Sequence, residues 1–283
     1  MNRRTLLKLT GGAAAAAVLG PVRSLLGGET TADTPAGQAL SFVHVTDTHF
    51  GCGQRNKPIE RNRKIVQVIN ALPMDIACVV HGGDIFSDRI EDAGTRQRAL
   101  DVLGELRPPI CYIPGNHDIL VKGSKDRRET TAGLFREHFG PLAGRHEHHG
   151  TVFLTLYTEP IVKDAPIPDY DPITWLKGEL GRAGRKPVLV FHHRPCVLDF
   201  YHNRMHDPWT PERRATWTDL LNSANVRGVV TGHFHRAEHH WLGDVPMFVT
   251  SSVAGFWGRQ SSFRIYTFDR GRLSYRSVYI EVD

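Results

Sequence analysis

The chain lacks several features that would assign it to a simple functional class. Its four cysteines form no CxxC pair, which argues against a zinc ribbon or a thioredoxin-type site. No run of five or more basic residues occurs, so the sequence gives little support for nucleic-acid binding. The apolar stretch Leu9–Leu19 is too short to span a bilayer. We therefore expect no nucleic-acid partner and no stable transmembrane helix.

The remaining composition is that of a globular enzyme. Apolar residues make up 40% of the 283 residues and charged residues 23%, so a sizeable core is possible and the main body shows no signature of disorder. This length suits one large domain or two small ones. The formal net charge of +5 could favour an anionic partner such as a phosphorylated substrate, although a solvated surface with a slight excess of Lys and Arg also explains it.

Residues 1–39 are expected to be a targeting segment followed by a linker. The stretch Asn2–Lys8 resembles the twin-arginine export motif, and the Ala-rich stretch after it fits the h-region of a signal peptide. The resemblance implies export by the twin-arginine machinery to the periplasm or the extracellular space. Cleavage after Ala32 or Ala39 and retention as a signal anchor are both open. The functional domain is then expected at residues 40–283.

From Ser41 onward, short apolar runs alternate with stretches of helical periodicity. The runs that predict buried strands are Phe42–Val45, Ile76–Val80, Ile110–Ile113, Val152–Tyr157, Val188–Phe191 and Val226–Val230. Helical patterns cover Ile65–Leu72, Ala99–Leu106, Trp175–Leu180 and Trp217–Leu221. Three further strands are predicted at Met247–Thr250, Phe263–Phe268 and Leu273–Ile280. This order indicates an α/β domain with an antiparallel end.

Side chains that can bind metals follow five of these strands. The clusters are Asp47-Thr48-His49, Gly83-Asp84, Asn116-His117-Asp118, His192-His193 and His233-Phe234-His235. Because sites in open α/β sheets form at the carboxyl ends of strands, we expect the clusters to meet at one rim. Carboxylate oxygens and imidazole nitrogens suit Mn, Fe, Zn or Ni better than Ca. Seven such ligands are too many for one ion, but two ions about 3.5–4 Å apart would form a clamp for phosphoryl displacement.

These clusters, in this order, resemble the calcineurin-like metallophosphoesterase family, whose pattern is D-x-H, G-D, G-N-H-D/E, a later His and G-H-x-H. The resemblance covers residues 41–255 and includes every element of the pattern. It implies a four-layer α/β/β/α sandwich. It also implies an enzyme that hydrolyses a phosphate ester by attack of a metal-bridging hydroxide, with two divalent or trivalent transition-metal ions (Mn, Fe or Zn) as cofactors.

The resemblance assigns a metal-binding role to seven residues. The implied ligands are Asp47, His49 and His235 for the first ion, Asn116, His233 and a strand-end histidine for the second, and Asp84 as the bridge. The strand-end histidine has two candidates. His192 is preferred because it is the first polar residue after its strand, whereas His193 matches the H-x-P spacing that the family often shows.

The catalytic roles fall on the same loop as Asn116. The resemblance implies that His117 does not bind metal but faces the phosphate, where it would stabilise developing charge or protonate the leaving oxygen. Asp118 would orient His117, as carboxylates near a metal site orient imidazoles.

Two departures narrow the resemblance. Ser87 stands where purple acid phosphatases carry a tyrosine, and the stretch Gly83–Arg89 is one residue longer than the GDxVDRG of Ser/Thr protein phosphatases. The group that remains closest in pattern contains class III cyclic-nucleotide phosphodiesterases and related bacterial enzymes. A diester substrate is therefore expected. The alternatives are a phosphomonoesterase or nucleotidase, a phospholipid-headgroup diesterase, and a non-catalytic binding module on the same fold. Substrate choice is expected to lie in loops such as 119–130, 158–172 and 196–212.

Overall fold

The computed structural model describes residues 39–53, 57–120, 122–203, 206 and 209–282. The predicted signal peptide and nearly all of the linker therefore lie outside the described residues. Among the helices of the described part, none combines the length and the apolar character that crossing a bilayer requires.

Eleven strands and six helices make up the described part of the chain. The strands are β1 (Leu40–Val45), β2 (Val79–His81), β3 (Ile110–Tyr112), β4 (Ala143–His148), β5 (Thr151–Leu156), β6 (Val188–Phe191), β7 (Val226–Thr231), β8 (Glu238–Leu242), β9 (Val245–Val249), β10 (Ser261–Asp269) and β11 (Arg272–Ile280). The helices are α1 (Pro58–Asn70), α2 (Ala93–Leu103), α3 (Lys125–Phe139), α4 (Glu159–Lys163), α5 (Pro172–Ala183) and α6 (Pro211–Asn222).

The strands form two mixed sheets. The first has the order β11-β10-β1-β2-β3, and its strands β1, β2 and β3 are parallel. The second has the order β4-β5-β6-β7-β9-β8, with a parallel centre and antiparallel strands at both edges. In the first sheet the last residue of β1 pairs with His81, which pairs with Tyr112. The three strands therefore end at the same level, and the loops that follow them begin side by side.

The two sheets pack face to face through an aromatic core. The ring of Phe42 on β1 lies 4.9 Å from that of Phe153 and 5.5 Å from that of Phe191, both of which belong to the second sheet. Helices α5 and α6 cover the outer face of the second sheet, and α1, α2 and α3 pack on the first. This arrangement confirms the α/β/β/α sandwich that the family resemblance implies.

Helix starts follow local signals in the sequence. The side chains of Asp92, Asp171 and Thr210 accept hydrogen bonds from main-chain N–H groups in the first turns of α2, α5 and α6. Proline occupies the start of α1, α5 and α6, where its missing N–H costs no helical hydrogen bond. These residues fix where the helices that connect the central strands begin.

Four elements were not predicted, and their composition explains why. Strands β4 and β8 are edge strands with polar, partly exposed side chains, so neither carries a continuous apolar run. Helix α3 has a weak apolar stripe and begins inside the segment 119–130, which was expected to be a loop. Helix α4 is only five residues long and falls within the expected loop 158–172.

Candidate metal centre

Six buried side chains from the ends of β1, β2, β6 and β7 converge at one rim of the sandwich. They form two groups, in each of which the candidate ligand atoms lie within 4.8 Å of one another. The groups are Asp47, His49 and His235, and Asp84, His193 and His233. Asn116, which follows β3, lines the same cavity as Asp84 and His233. The expected convergence of the five strand ends is therefore present in the structure.

The carboxylate of Asp84 lies between the two groups. Its Oδ2 is 3.1 Å from Nε2 of His193 in its own group and 3.8 Å from Nε2 of His49 in the other. In the first group, Nε2 of His235 lies 3.0 Å from Oδ1 of Asp47. One carboxylate is thus within reach of both groups, which is the position that a bridging ligand needs.

The backbone at these positions adopts a conformation that side chains usually avoid. Five of the six residues have left-handed φ angles: Asp47 (54°), His49 (49°), Asp84 (51°), His233 (69°) and His235 (53°). Each such residue costs about 1–3 kcal/mol, and they cluster at functional sites because surrounding contacts hold them there. Here the loops hold one another, since the main-chain N–H groups of Asp47 and His49 donate to the carbonyls of Gly83 and Asp84 at 2.9 and 3.1 Å.

Two glycines allow the loops to approach this closely. A Cβ on Gly115 would lie 2.1 Å from Oδ1 of Asp84, and a Cβ on Gly232 would lie 2.1 Å from Oγ1 of Thr46. Either side chain would push apart the loops that carry the ligands. The requirement at both positions is space rather than an unusual φ angle.

The donor set fits two transition-metal ions. It combines two carboxylates and four imidazoles, all buried, and such oxygen and nitrogen ligands suit ions such as Mn, Fe and Zn. Within the described residues, the buried amide oxygen of Asn116 has no hydrogen-bond partner. A buried polar atom without a partner is costly, and an ion held beside Asp84 would satisfy it.

The electrostatics of the groups favour cation binding. Burial raises the pKa of Asp47, but His235 and His193 outweigh it and hold this pKa below its usual range. For Asp84, burial is likewise outweighed by neighbouring histidines, and the pKa falls well below the usual value. Burial lowers the pKa of His193, yet Asp84 and Asp47 raise it to about 9. The carboxylates are therefore ionised at neutral pH, and His193 holds a proton that a bound cation would displace.

The structure brings His193, and not the preferred His192, into the second ligand group. Side chains alternate along β6, so Val188 and Val190 face the helices while Leu189 and Phe191 face the other sheet. His192 continues the first set and packs edge-to-face on Trp217 at 5.2 Å, where burial lowers its pKa to about 3. His193 continues the second set, which leads to the rim, and its Nδ1 lies 2.8 Å from the carbonyl of Gly82. The alternation was readable in the sequence.

The structure gives Asp118 hydrogen-bond partners other than the expected His117. This carboxylate is fully buried and accepts hydrogen bonds from the main-chain N–H groups of Phe86 and Gly115 at 2.9 and 2.8 Å. It therefore joins the loop after β2 to the loop after β3. The partner of His117 is instead Asp88, whose Oδ1 lies 2.9 Å from Nδ1 of the imidazole. Attraction to Asp84, followed by the contacts with Asp88, raises the pKa of His117 to about 9.

A cavity of about 470 Å³ opens above the two groups. Its walls include Arg194, His206 and Trp257. Arg194 forms a buried bidentate ion pair with Glu159, and its Nη1 lies 3.0 Å from Nε2 of His233. His206 is hydrogen-bonded through Nδ1 to Asp199, and its ring stacks on Phe234 at 4.8 Å. Sequence spacing gave no sign of the carboxylate partners Glu159 and Asp199, because folding alone brings them to the site.

Replacing His193 and His192 in turn tests which of the two histidines binds the metal ion of the second group. We expect His193→Ala to reduce the bound metal from about two ions per chain to about one, because it removes a ligand of the second group. His192→Phe keeps a ring against Trp217 and should retain both ions. Elemental analysis of purified protein measures the stoichiometry, and circular dichroism checks the fold. Loss of an ion from His192→Phe alone would restore the original preference.

Replacing Asp88 and Asp118 separates the two carboxylates near His117. In metal-free protein, Asp88→Asn should lower the pKa of His117, because the charge and the hydrogen bond of Asp88 both raise it. Asp118→Asn should reduce stability by about 1–3 kcal/mol, since a buried N–H loses its acceptor. Histidine NMR titration and urea unfolding measure these effects. The assignment of Asp88 as the partner of His117 would be contradicted if the pKa of His117 fell in Asp118→Asn and did not change in Asp88→Asn.

Comparison with known proteins agrees with the geometry of the site. A model of the calcineurin-like phosphoesterase family matches residues 40–237. A protein of Fibrobacter succinogenes named a probable cyclic nucleotide phosphodiesterase is 25% identical over 223 residues, which cover 76% of this chain and 80% of that protein. A glycerophosphodiester phosphodiesterase of Enterobacter lignolyticus is 29% identical over 174 residues, which cover 55% of this chain and 57% of that protein.

Solved structures share the fold at low sequence identity. A dimetal phosphatase from Danio rerio superposes with a TM-score of 0.59 at 14% identity, covering 86% of this chain and 99% of that one. A purple acid phosphatase from yellow lupin seeds superposes with a TM-score of 0.61 at 15% identity, covering 85% of this chain and 52% of that one. Because the family model matches well over half of a chain that also brings the family's ligand pattern together at one rim, this protein belongs to the calcineurin-like phosphoesterase family of metal-dependent hydrolases.

Proposed function

We propose that this protein hydrolyses a phosphodiester with two transition-metal ions held by the two ligand groups. The observation that carries the proposal is the position of Asp84, whose carboxylate reaches both groups. Each ligand group supplies both nitrogen and oxygen donors, which suit Mn, Fe and Zn. These are therefore the ions to test. Both relatives reported above are named as phosphodiesterases, one of them as a probable one, which supports this substrate class.

The cavity walls favour a diester over a monoester. The guanidinium of Arg194 is paired with Glu159 at 2.6 and 3.0 Å, and that of Arg127 is paired with Glu91 at 2.9 and 2.6 Å. Carboxylates therefore offset the positive charge of Arg194, Arg127 and His117, and Lys122 is the remaining cationic side chain of the lining. A diester carries one negative charge at neutral pH, whereas a monoester approaches two and needs more positive charge around it. A phosphomonoesterase or nucleotidase is the second candidate.

The residues of the chain have separable tasks in the proposed reaction. When bound, a pair of ions supplies Lewis acidity and a hydroxide nucleophile at neutral pH. Asp84, Asp47 and Asn116 hold the two ligand groups in place at the base of the cavity. His117 lines the cavity with Nδ1 held by Asp88, so its Nε2 is left to donate a proton to the leaving oxygen.

A comparison of two aryl esters tests the proposal. The full chain loaded with Mn²⁺ should hydrolyse bis-p-nitrophenyl phosphate with a higher kcat/KM than p-nitrophenyl phosphate. His117→Ala should retain both ions and slow turnover by roughly 10²–10⁴-fold, the range for a positioned acid. Asp84→Ala should lose bound metal and activity together. A preference for the monoester would favour the phosphatase, and full activity in Asp84→Ala would contradict the site.

We also propose that the protein is exported through the twin-arginine pathway and acts in the periplasm or outside the cell. The support is the sequence of residues 1–39, with Arg3 and Arg4 ahead of an Ala-rich stretch. In a Gram-negative host, the full chain should be found in the periplasmic fraction. The double variant Arg3→Lys, Arg4→Lys should remain in the cytoplasm as folded, metal-binding protein. Equal periplasmic amounts of both would argue against this route.

A further inference from the structure

An exposed tryptophan stands at the mouth of the metal-site cavity. Trp257 lines this cavity, yet 63% of its surface remains exposed to solvent. Its indole ring lies 5.3 Å from the imidazole of His235, which belongs to the first ligand group. Among the described residues, the other large exposed aromatics are not part of the lining of this cavity. A large apolar ring open to water at the mouth of this cavity is available to contact a ligand that enters it.

The backbone holds Trp257 in a conformation that bulky residues avoid. Its φ and ψ angles are 58° and 31°, in the left-handed region, within a short 3-10 turn at Phe256–Gly258. Gly255 and Gly258 on either side also have positive φ angles, of 63° and 74°. A non-glycine residue with such angles is strained, and strain of this kind is concentrated at binding and catalytic sites. The turn thus directs the indole to the cavity at a conformational cost.

Contacts with neighbouring side chains fix the position of the indole relative to the metal ligands. The ring of Phe256 stacks on His235 at 5.4 Å and meets Trp257 edge-to-face at 5.6 Å. The guanidinium of Arg259 lies 5.1 Å from the centroid of the indole. The same guanidinium donates hydrogen bonds to the carbonyls of Phe234 and His235 at 3.2 and 3.0 Å. Trp257 is therefore tied to the loop that carries His233 and His235.

We propose that Trp257 determines substrate specificity by stacking on the nucleobase of a nucleotide phosphodiester. The proposal rests on the phosphodiesterase function proposed above. Trp257 lines the same cavity as residues of both ligand groups, so the ester substituent of a phosphate placed there has the indole within that cavity. A nucleotide presents a planar ring one sugar away from its phosphate, and aromatic side chains bind such rings through their π-faces whatever the base. A glycerophosphodiester has no planar ring to place there.

Two substrates and two variants test the role of Trp257. Trp257→Ala should lower kcat/KM for adenosine 3',5'-cyclic monophosphate by about 5- to 150-fold, the factor that corresponds to the loss of one base–aromatic stack. Trp257→Phe should recover most of this loss, because it restores an aromatic face. Hydrolysis of glycerophosphocholine, which lacks a ring, should change by less than about twofold. An equal loss on both substrates would make Trp257 a structural residue and overturn the proposal. A wild-type protein that hydrolyses only the ringless diester would overturn it too.

A binding measurement keeps this proposal separate from the catalytic one. Adenosine monophosphate should quench the tryptophan fluorescence of the wild-type protein, whereas ribose 5-phosphate should not, since it lacks the base. The quenching should disappear in Trp257→Phe, which retains the other four of the five tryptophans. If no diester is hydrolysed but this pattern is observed, the proposed reaction fails and the stacking role stands. Quenching that persists in Trp257→Phe would overturn the stacking role whether or not the protein is active.

Discussion

The buried carboxylate of Asp84 is the interaction on which the rest of the site depends. Its Oδ2 faces a histidine from each ligand group, and its Oδ1 accepts the main-chain N–H of His117 at 2.9 Å. A second ionised carboxylate, Asp47, lies in the adjacent group. Burying two such charges is costly unless hydrogen bonds, histidines or cations compensate them. The site is therefore built to gather compensating groups, and its geometry follows from that need.

The ligand-bearing loops must approach one another closely, and this requirement explains their backbone conformations. Four strand ends must deliver six side chains to one small volume, and regular extended backbone cannot turn sharply enough to do so. Left-handed residues supply the turns, and Gly115 and Gly232 supply the space. Strain of this kind persists only where the surroundings over-determine it. Here those surroundings are the in-register ends of the parallel strands and the aromatic core around Phe42 that locks the two sheets together.

The sequence predicted the parts of the fold and site that depend on local patterns. β-Branched runs located the central strands, and their polar ends located the metal centre. The sequence failed where the outcome depended on side-chain direction or on distant partners. His192 was preferred by its position after the strand, but the alternation along β6 turns it toward Trp217. The family resemblance implied that Asp118 orients His117, whereas folding brings Asp88 there and commits Asp118 to two main-chain N–H groups. Strands β4 and β8 were missed because their side chains are polar and partly exposed, so neither carries an apolar run.

The floor and the walls of the cavity obey different constraints. The cavity floor consists of the two ligand groups, and its residues must compensate the charges of Asp84 and Asp47. A sequence motif can therefore identify them. The walls need only complement a substrate, so their residues come from scattered places: Arg194 after β6, His206 from the segment 196–212, and Trp257 after β9. Two of these are held by carboxylates, Glu159 and Asp199, and Trp257 is held by a strained turn and Arg259. Rigid support for these wall side chains is what a cavity that discriminates among phosphate esters would need.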